Sequence, residues 1–166
     1  MSLKQVGLIS DTHIPARAKA IPNKVFEVFQ DASLILHAGD LTRVSVLEEL
    51  EQMAPVIAVH GNMDARKVKE RLPTINSVDV YDWKIGVTHS LNFFFRNSGF
   101  REITEKRGFH VFVSGHTHRP GLKYKSGMLL INPGSPTNPI PPFITRSSVA
   151  LLKITKKEIE PEIINL

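Results

Sequence analysis

Short apolar runs alternate with helix-like stretches along the first half of the chain. Val44, Leu47 and Leu50 recur with helical spacing around polar residues, which is typical of an amphipathic helix. The predicted elements are strands at residues 6–9, 34–36 and 56–59, with helices at residues 22–29 and 44–53. Strands that alternate with helices favour a parallel sheet with right-handed crossovers.

The second half of the chain reads as strands joined by turns. The predicted strands are residues 78–81, 85–87, 111–113, 122–124, 128–131, 148–154 and 159–164, and a helix is predicted at residues 98–107. Turn-like sequences, such as the one that ends at Gly127, predict hairpins and antiparallel pairing late in the chain. The proline-rich stretch 132–142 predicts a loop, because proline cannot donate to a strand ladder. We expect one α/β domain over residues 1–166.

A side chain that can bind a metal follows each of five predicted strands. These residues are Asp11 and His13, Asp40, Asn62, His89, and His116 with His118. Ligands of open α/β sheets bind beyond the carboxyl ends of strands, so we expect the seven side chains to converge. The i,i+2 spacing of Asp11 with His13 predicts that both project to one side of an extended chain, and the spacing of His116 with His118 predicts the same.

Taken singly, several of these residues have an ordinary structural explanation. Asp11 and Asp40 are equally compatible with helix N-caps. Asn62 and Asp64 are compatible with turn residues. The ordered set of five strand-end positions is what favours a shared site.

Composition restricts which ions such a site can hold. The chain has no cysteine, so it can form neither a disulfide nor a thiolate zinc site. A mixed set of carboxylates, an amide and imidazoles suits a two-metal hydrolytic site. Gly39, Gly61 and Gly115 each precede a candidate ligand, and glycine there permits a close approach of backbone.

The motifs in this order resemble those of the calcineurin-like metallophosphoesterases. They are Asp11-Thr12-His13, Gly39-Asp40, Gly61-Asn62, Thr88-His89 and Gly115-His116-Thr117-His118. The small size and residues 131–135 (Ile-Asn-Pro-Gly-Ser) resemble the YfcE-like phosphodiesterases of bacteria and archaea. That subgroup also contains the metallophosphoesterase-fold subunit of retromer, a scaffold in membrane sorting. The resemblance implies an α/β sandwich of two mixed β-sheets flanked by helices.

The same resemblance implies two divalent ions. The first would be bound by Asp11, His13, Asp40 and His118, and the second by Asp40, Asn62, His89 and His116. Asp40 would bridge the ions, and a hydroxide shared between them would attack the phosphorus. Mn²⁺ is the ion we expect, and Ni²⁺, Fe²⁺, Zn²⁺ or Co²⁺ are compatible with this ligand set.

Two positions depart from patterns found in the wider family. Many members have a histidine directly after the motif asparagine, near the leaving group, where this chain has Met63. Members of the subgroup often read Thr-His-Gly-His where this chain reads Thr88-His89-Ser90-Leu91. Without a protein acid at the Met63 position, we expect substrates whose leaving group needs little protonation.

The remaining candidates have secondary roles. His60 and Arg119 are candidate substrate-binding residues, as each lies beside a ligand motif. His37 is expected to support the ligands or the core, and His110 to be structural. The apolar run 91–95 is expected to form either a wall of the substrate pocket or a subunit interface, so a homo-oligomer is compatible with the sequence.

These observations predict a metal-dependent phosphodiesterase that acts on a small phosphodiester. One alternative is a catalytically silent scaffold like the retromer subunit, which has lost part of its ligand set, whereas all seven positions are filled here. Another is a nuclease, since the net charge of +5 permits nucleic acid as a partner. No clustered basic stripe with interleaved aromatic residues supports that alternative. Without a targeting segment or an apolar stretch of about 20 residues, we expect a cytoplasmic protein with no membrane partner.

Overall fold

Ten strands and three helices form the part of the chain that the structure, a computed structural model, describes: residues 2–92, 106–140 and 145–166. In chain order they are β1 (Lys4–Ile9), α1 (Asn23–Val28), β2 (Ala32–His37), α2 (Ser45–Glu51), β3 (Val56–Ala58), α3 (Arg66–Arg71), β4 (Ile75–Val80), β5 (Trp83–Thr88), β6 (Val111–Val113), β7 (Gly121–Lys125), β8 (Met128–Asn132), β9 (Ser148–Ile154) and β10 (Ile159–Asn165). No helix within these ranges is long and apolar enough to cross a membrane.

The strands form two five-stranded sheets with the orders β10-β9-β1-β2-β3 and β4-β5-β6-β8-β7. Strands β1, β2 and β3 are parallel, as predicted, and β9 pairs antiparallel with β1. The three predicted hairpins, β4–β5, β7–β8 and β9–β10, are confirmed. The expectation of antiparallel strands late in the chain holds for the hairpins and for β9 with β1, but β5 pairs with β6, and β6 with β8, in parallel. Their connections at residues 89–110 and 114–127 are long enough to cross over.

Apolar side chains fill the space between the sheets and the outer face of each sheet. Between the sheets lie Val6, Leu8, Ile85, Val87, Val113 and Ile131. Helices α1, α2 and α3 cover the outer face of the first sheet with buried residues such as Val25, Leu47 and Val68. Phe109, Phe112, Met128 and Leu130 form a smaller cluster on the second sheet. The predicted sandwich of two mixed sheets flanked by helices is confirmed.

Helix and turn boundaries differ locally from the prediction. Helix α3 was not predicted, because its six residues bury only Val68 and carry too little periodicity. The turn between β4 and β5 lies at Tyr81 and Asp82, so Trp83 begins a strand where a turn residue was expected. The helix predicted at residues 98–107 falls outside the described residues, except for Lys106 and Arg107, which are helical.

Candidate metal centre

The carboxyl ends of five strands meet at one rim of the sandwich and bring the seven predicted side chains together. Strands β1, β2 and β3 carry four of them on the first sheet, and β5 and β6 carry three on the second. The two sheets come into contact here, since His89 Nε2 lies 3.2 Å from Asp40 Oδ2 and His118 Nε2 lies 3.3 Å from Asp11 Oδ1. The predicted convergence of these side chains is confirmed.

One half of the centre is a buried cluster of Asp11, His13 and His118. The Nε2 atoms of His13 and His118 are 3.2 Å apart, and His13 Nε2 lies 3.8 Å from Asp11 Oδ1. Asp11 Oδ1 is itself buried and has no hydrogen-bond partner within the described part of the chain. A buried carboxylate oxygen without a donor is costly, and a cation held between it and the two imidazoles removes that cost. The residues therefore fit a divalent ion.

The other half of the centre brings Asp40 and His89 against Asp11, with two exposed candidate ligands, Asn62 and His116, beside them. Asn62 Oδ1 lies 3.0 Å from His89 Nε2 and 3.1 Å from His116 Nδ1. Asp40 Oδ2 is also 3.9 Å from His13 Nε2, so this carboxylate lies between the imidazoles of the two halves. The centre is closed on the Asp11 side and open to solvent on the Asn62 side.

Backbone carbonyls select the tautomers of two histidines. His89 Nδ1 donates to the carbonyl oxygen of Ala38 at 2.8 Å, and His118 Nδ1 donates to that of Asn138 at 2.5 Å. A carbonyl can only accept, so in the neutral ring each Nε2 keeps its lone pair for a metal. His116 instead faces the cluster through Nδ1, which lies 3.3 Å from His89 Nε2.

The electrostatics of the metal-free centre follow from burial and from the carboxylate–imidazole pairs. Burial disfavours charge on His89 and His118, but the negative carboxylates of Asp40 and Asp11, at 3.2 and 3.3 Å, outweigh it and raise the pKa of both histidines. For Asp40, burial opposes ionisation, but the hydrogen bond from His89 prevails and lowers its pKa. Burial dominates at His13 and lowers its pKa.

Left-handed backbone carries five of the seven residues. The φ angles are 55° at Asp11, 45° at His13, 56° at Asp40, 71° at His116 and 57° at His118. The predicted extended geometry of the two i,i+2 pairs is therefore wrong, and the chain turns sharply just after the strands. Such conformations cost about 1–3 kcal/mol each outside glycine and cluster at functional sites.

At two of the three glycines for which a close approach was predicted, the neighbouring group is a carboxylate of the centre. A Cβ atom on Gly61 would overlap with Asp40 Oδ1, and one on Gly115 would lie 2.6 Å from Asp11 Oδ2. Neither position has space for a side chain, which confirms the expected reason for glycine before these ligands.

Asp64, which the sequence left as a possible turn residue, holds two ligand loops together. Its carboxylate accepts the backbone amides of Asp40 at 3.0 Å, Thr42 at 2.5 Å and Gly61 at 2.6 Å. Burial raises the pKa of Asp64, and the amide hydrogen bonds act against that shift. The only signal in the sequence is an acidic residue two positions after Asn62.

The loop after β8 supports the β1 ligands, a role for which sequence reasoning identified no residues. Ser135 Oγ donates to the carbonyl oxygen of Asp11 at 2.8 Å, and Thr137 Oγ1 donates to that of Thr12 at 2.8 Å. The same loop supplies the carbonyl of Asn138 that binds His118. The described part of the proline-rich segment, residues 133–140, is thus a loop, as predicted, and lies against the β1 end of the site.

The other histidines and Arg119 take distinct places. His37 is fully buried, accepts the amide of Gly39 at 3.2 Å and lies 3.1 Å from Thr12 Oγ1, so its expected supporting role is confirmed. His110 accepts the amide of Lys84 at 3.0 Å and is structural. Arg119 is exposed on the wall of a cleft that begins at His116. The described lining of that cleft does not include His60.

Comparison with known proteins identifies the family. Residues 5–157 match the model of the calcineurin-like phosphoesterase superfamily domain. The chain belongs to this superfamily. It is 42% identical over 160 residues to a probable metallophosphoesterase of Methanothermobacter thermautotrophicus, covering 96% of this chain and 91% of that protein. It is 34% identical over 142 residues to a phosphodiesterase of Methanocaldococcus jannaschii, covering 78% and 82%.

Solved structures share the fold. A novel archaeal phosphodiesterase superposes with a TM-score of 0.73 at 26% identity, covering 96% of this chain and 99% of that one. Vacuolar protein sorting 29 (Vps29) of Entamoeba histolytica, complexed with Zn²⁺, gives a TM-score of 0.75 at 22% identity, covering 97% and 98%. The second likeness concerns the fold alone.

Proposed function

We propose that the protein is a phosphodiesterase that uses two divalent ions at the rim of the sandwich. The observation that carries the proposal is the position of Asp40, whose Oδ2 lies 3.2 Å from His89 Nε2 and 3.9 Å from His13 Nε2. A carboxylate between two imidazole clusters is placed to be shared by two ions. The buried, unpartnered Asp11 Oδ1 supports the same assignment.

The ligand chemistry supports divalent metals. The first ion would be held by Asp11, His13, Asp40 and His118, and the second by Asp40, Asn62, His89 and His116. Oxygen-rich sites without thiolates suit Mn²⁺, and the imidazoles also suit Ni²⁺, Fe²⁺, Zn²⁺ or Co²⁺. When bound, such ions polarise phosphoryl oxygens and lower the pKa of water, which supplies a nucleophile at neutral pH.

The residues of the chain orient the ligands and admit the substrate. The carbonyls of Ala38 and Asn138 fix the rings of His89 and His118, so those imidazoles do not have to reorganise. The buried Asp11 side excludes water, whereas exposed Asn62 and His116 leave an approach for a phosphoester.

The preference for diesters rests on Met63, which is 58% exposed beside Asn62. A thioether has no proton to give to a leaving group. Hydrolysis would then depend on the metals and on a leaving group that departs without protonation. A monoester dianion binds the metals strongly in its ground state, and such uniform binding does not raise turnover.

Two alternatives remain separable by experiment. A silent scaffold is compatible with the fold likeness to Vps29, and because that structure is a complex with Zn²⁺, metal binding alone does not exclude a scaffold. Measurable hydrolysis of a phosphoester would exclude a silent scaffold. A nuclease would degrade single-stranded DNA or RNA faster than small diesters.

The test is turnover of bis(p-nitrophenyl) phosphate and p-nitrophenyl phosphate by metal-free protein reloaded with Mn²⁺, with bound metal counted by elemental analysis. We expect more than one equivalent of metal and faster diester cleavage. His118→Ala should nearly abolish activity and lower the metal count, because it removes an imidazole of the buried cluster. His110→Ala is the matched control and should keep both. Absence of metal binding in excess Mn²⁺, or an unchanged rate in His118→Ala, would contradict the proposal.

A further inference from the structure

A cleft of about 290 Å³ extends from the metal centre along the second sheet. Its floor includes Leu130, Ile131 and Asn132 of β8, and its walls include Leu91 on one side and the edge strand β7 on the other. His116 lines it directly, and Ser90, the neighbour of His89, lies at the same end. Space for a group attached to the reacting phosphate therefore begins at the centre itself.

The wall beside His116 is held in place before any ligand binds. Asn132 Nδ2 donates to the carbonyl oxygen of Gly115 at 2.9 Å and to Thr117 Oγ1 at 3.1 Å. The Asn132 amide thereby fastens the segment between β6 and β7 to the floor strand. A pre-formed cleft lowers the ordering cost of binding.

The cleft combines apolar and cationic side chains. Leu91 and Leu130 provide the apolar surface, whereas Leu122 lies on the opposite face of β7, because it pairs with Ile131 of the layer between the sheets. Arg119 and Lys123 provide two positive charges, and within the described ranges neither has an ion-pair partner. No acidic residue occurs among the described lining residues. Lys123 lies directly opposite Leu130 in the β7–β8 register, so its charge stands over the apolar floor.

We propose, on the basis of the proposed phosphodiesterase function, that this cleft binds one arm of the substrate: a compact apolar group that carries a second anionic group. The apolar body would contact Leu91 and Leu130, and the anion would pair with Arg119 and Lys123. The volume is near the lower limit of small-molecule pockets, about 300 Å³, and holds one ring-sized group. Unpaired cations without a nearby carboxylate complement an anion and select against a neutral arm.

The test uses two esters that differ in one carboxylate, p-nitrophenyl phenyl phosphate and p-nitrophenyl 4-carboxyphenyl phosphate. Water cleaves the bond between phosphorus and the p-nitrophenyl oxygen in both, which releases p-nitrophenol and leaves the other arm in the cleft. We expect a KM about fivefold lower for the carboxylated ester with similar kcat, the size of one ion pair at a partly exposed position. A third ester with a phosphonate in place of the carboxylate shows whether the cations prefer a dianion.

Variants assign the preference to the cleft. Arg119→Gln and Lys123→Gln should each reduce the KM difference between the two esters, and this difference is the readout for both variants. Lys157→Gln, at the remote turn between β9 and β10, is the control and should keep the full difference. Equal KM values in the wild type, or a preference that survives both cleft variants, would overturn the proposal.

A binding measurement separates this inference from the function on which it rests. If neither ester is hydrolysed with any divalent metal, the phosphodiesterase proposal fails. Calorimetric titration of the Mn²⁺-loaded protein with phenylphosphonate and 4-carboxyphenylphosphonate then decides the cleft separately. Tighter binding of the carboxylated compound that is lost in Lys123→Gln supports the cleft, and equal affinities reject it.

Discussion

The side chain of Asp64 accepts a hydrogen bond from the backbone amide of Asp40 at 3.0 Å, across 24 positions of sequence. The same oxygen accepts the amide of Gly61 at 2.6 Å, and the other oxygen accepts that of Thr42. One buried carboxylate thus joins the loop after β2 to the loop after β3. The relative placement of Asp40 and Asn62 depends on it.

Replacing Asp64 by asparagine should weaken metal binding although Asp64 is not one of the candidate metal ligands. An amide offers one acceptor oxygen, and its NH₂ group would face backbone donors, so at least one amide loses its partner. We expect metal affinity to fall about 10–100-fold and the free energy of unfolding to fall by about 2 kcal/mol. Metal titration and urea unfolding measure these effects. Asp79→Asn, on the exposed side of β4, is the control, and unchanged metal affinity in Asp64→Asn would refute the role.

Protons should compete with metal for the imidazoles at a higher pH than they would for histidines of ordinary pKa. The pKa values of His89 and His118 are raised by their carboxylate partners, and a ligating imidazole must be neutral. As the pH is lowered, metal affinity and activity should therefore start to fall while the pH is still above about 6.5, the ordinary histidine pKa. More Mn²⁺ should move the acid limb of the pH–rate profile to lower pH. An acid limb that does not respond to metal would belong to another group.

His37 should make the metal-free fold sensitive to acid. Burial lowers its pKa from 6.5 to about 4, because a charged ring would be desolvated and would lose the amide of Gly39 as a donor. A histidine whose folded-state pKa is depressed contributes stability above its unfolded pKa, and that stability is lost as the pH falls toward 4. The loss approaches about 3 kcal/mol. Urea unfolding in chelator should show His37→Gln losing less stability than wild type between pH 7.5 and 4.5, and parallel losses would count against it.

Introducing a proton donor beside Asn62 should favour monoesters. Met63→His places an imidazole at the exposed position next to the open side of the centre. General acid catalysis contributes about 10²–10⁴-fold where the geometry allows, and we expect monoester turnover to rise toward that range. Met63→Leu, which removes the thioether but adds no acid, should behave like wild type. A clear monoester preference in the wild type would contradict the diesterase assignment.

The convergence of the seven candidate ligands could be predicted from the sequence because each lies within five residues of the end of a strand, and strands can be recognised as short apolar runs. The contacts that hold these candidate ligands in place could not be predicted from the sequence. Asp64 acts on Asp40 and Thr42, which are distant in sequence, and Ser135 binds the carbonyl of Asp11 from the far end of the chain. Asp and His adopt left-handed backbone more often than most residues but still uncommonly, so its occurrence at His116 and its counterparts is decided by tertiary packing. The parallel pairing of β6 with β8 could not be predicted, because β7 lies between them in the sequence and forms a hairpin with β8.

The ligands come from both layers of the sandwich. The first sheet supplies the carboxylates and the amide, whereas the second supplies three of the four imidazoles. Each proposed ion would therefore have ligands from both sheets and would link the sheets along this rim. Metal removal would release that edge while the apolar layer between the sheets stays closed, so hydrogen exchange in chelator should accelerate in the rim loops and leave the central strands protected. On the proposed two-ion site, a chelator would therefore loosen the contact between the two sheets as well as stop catalysis.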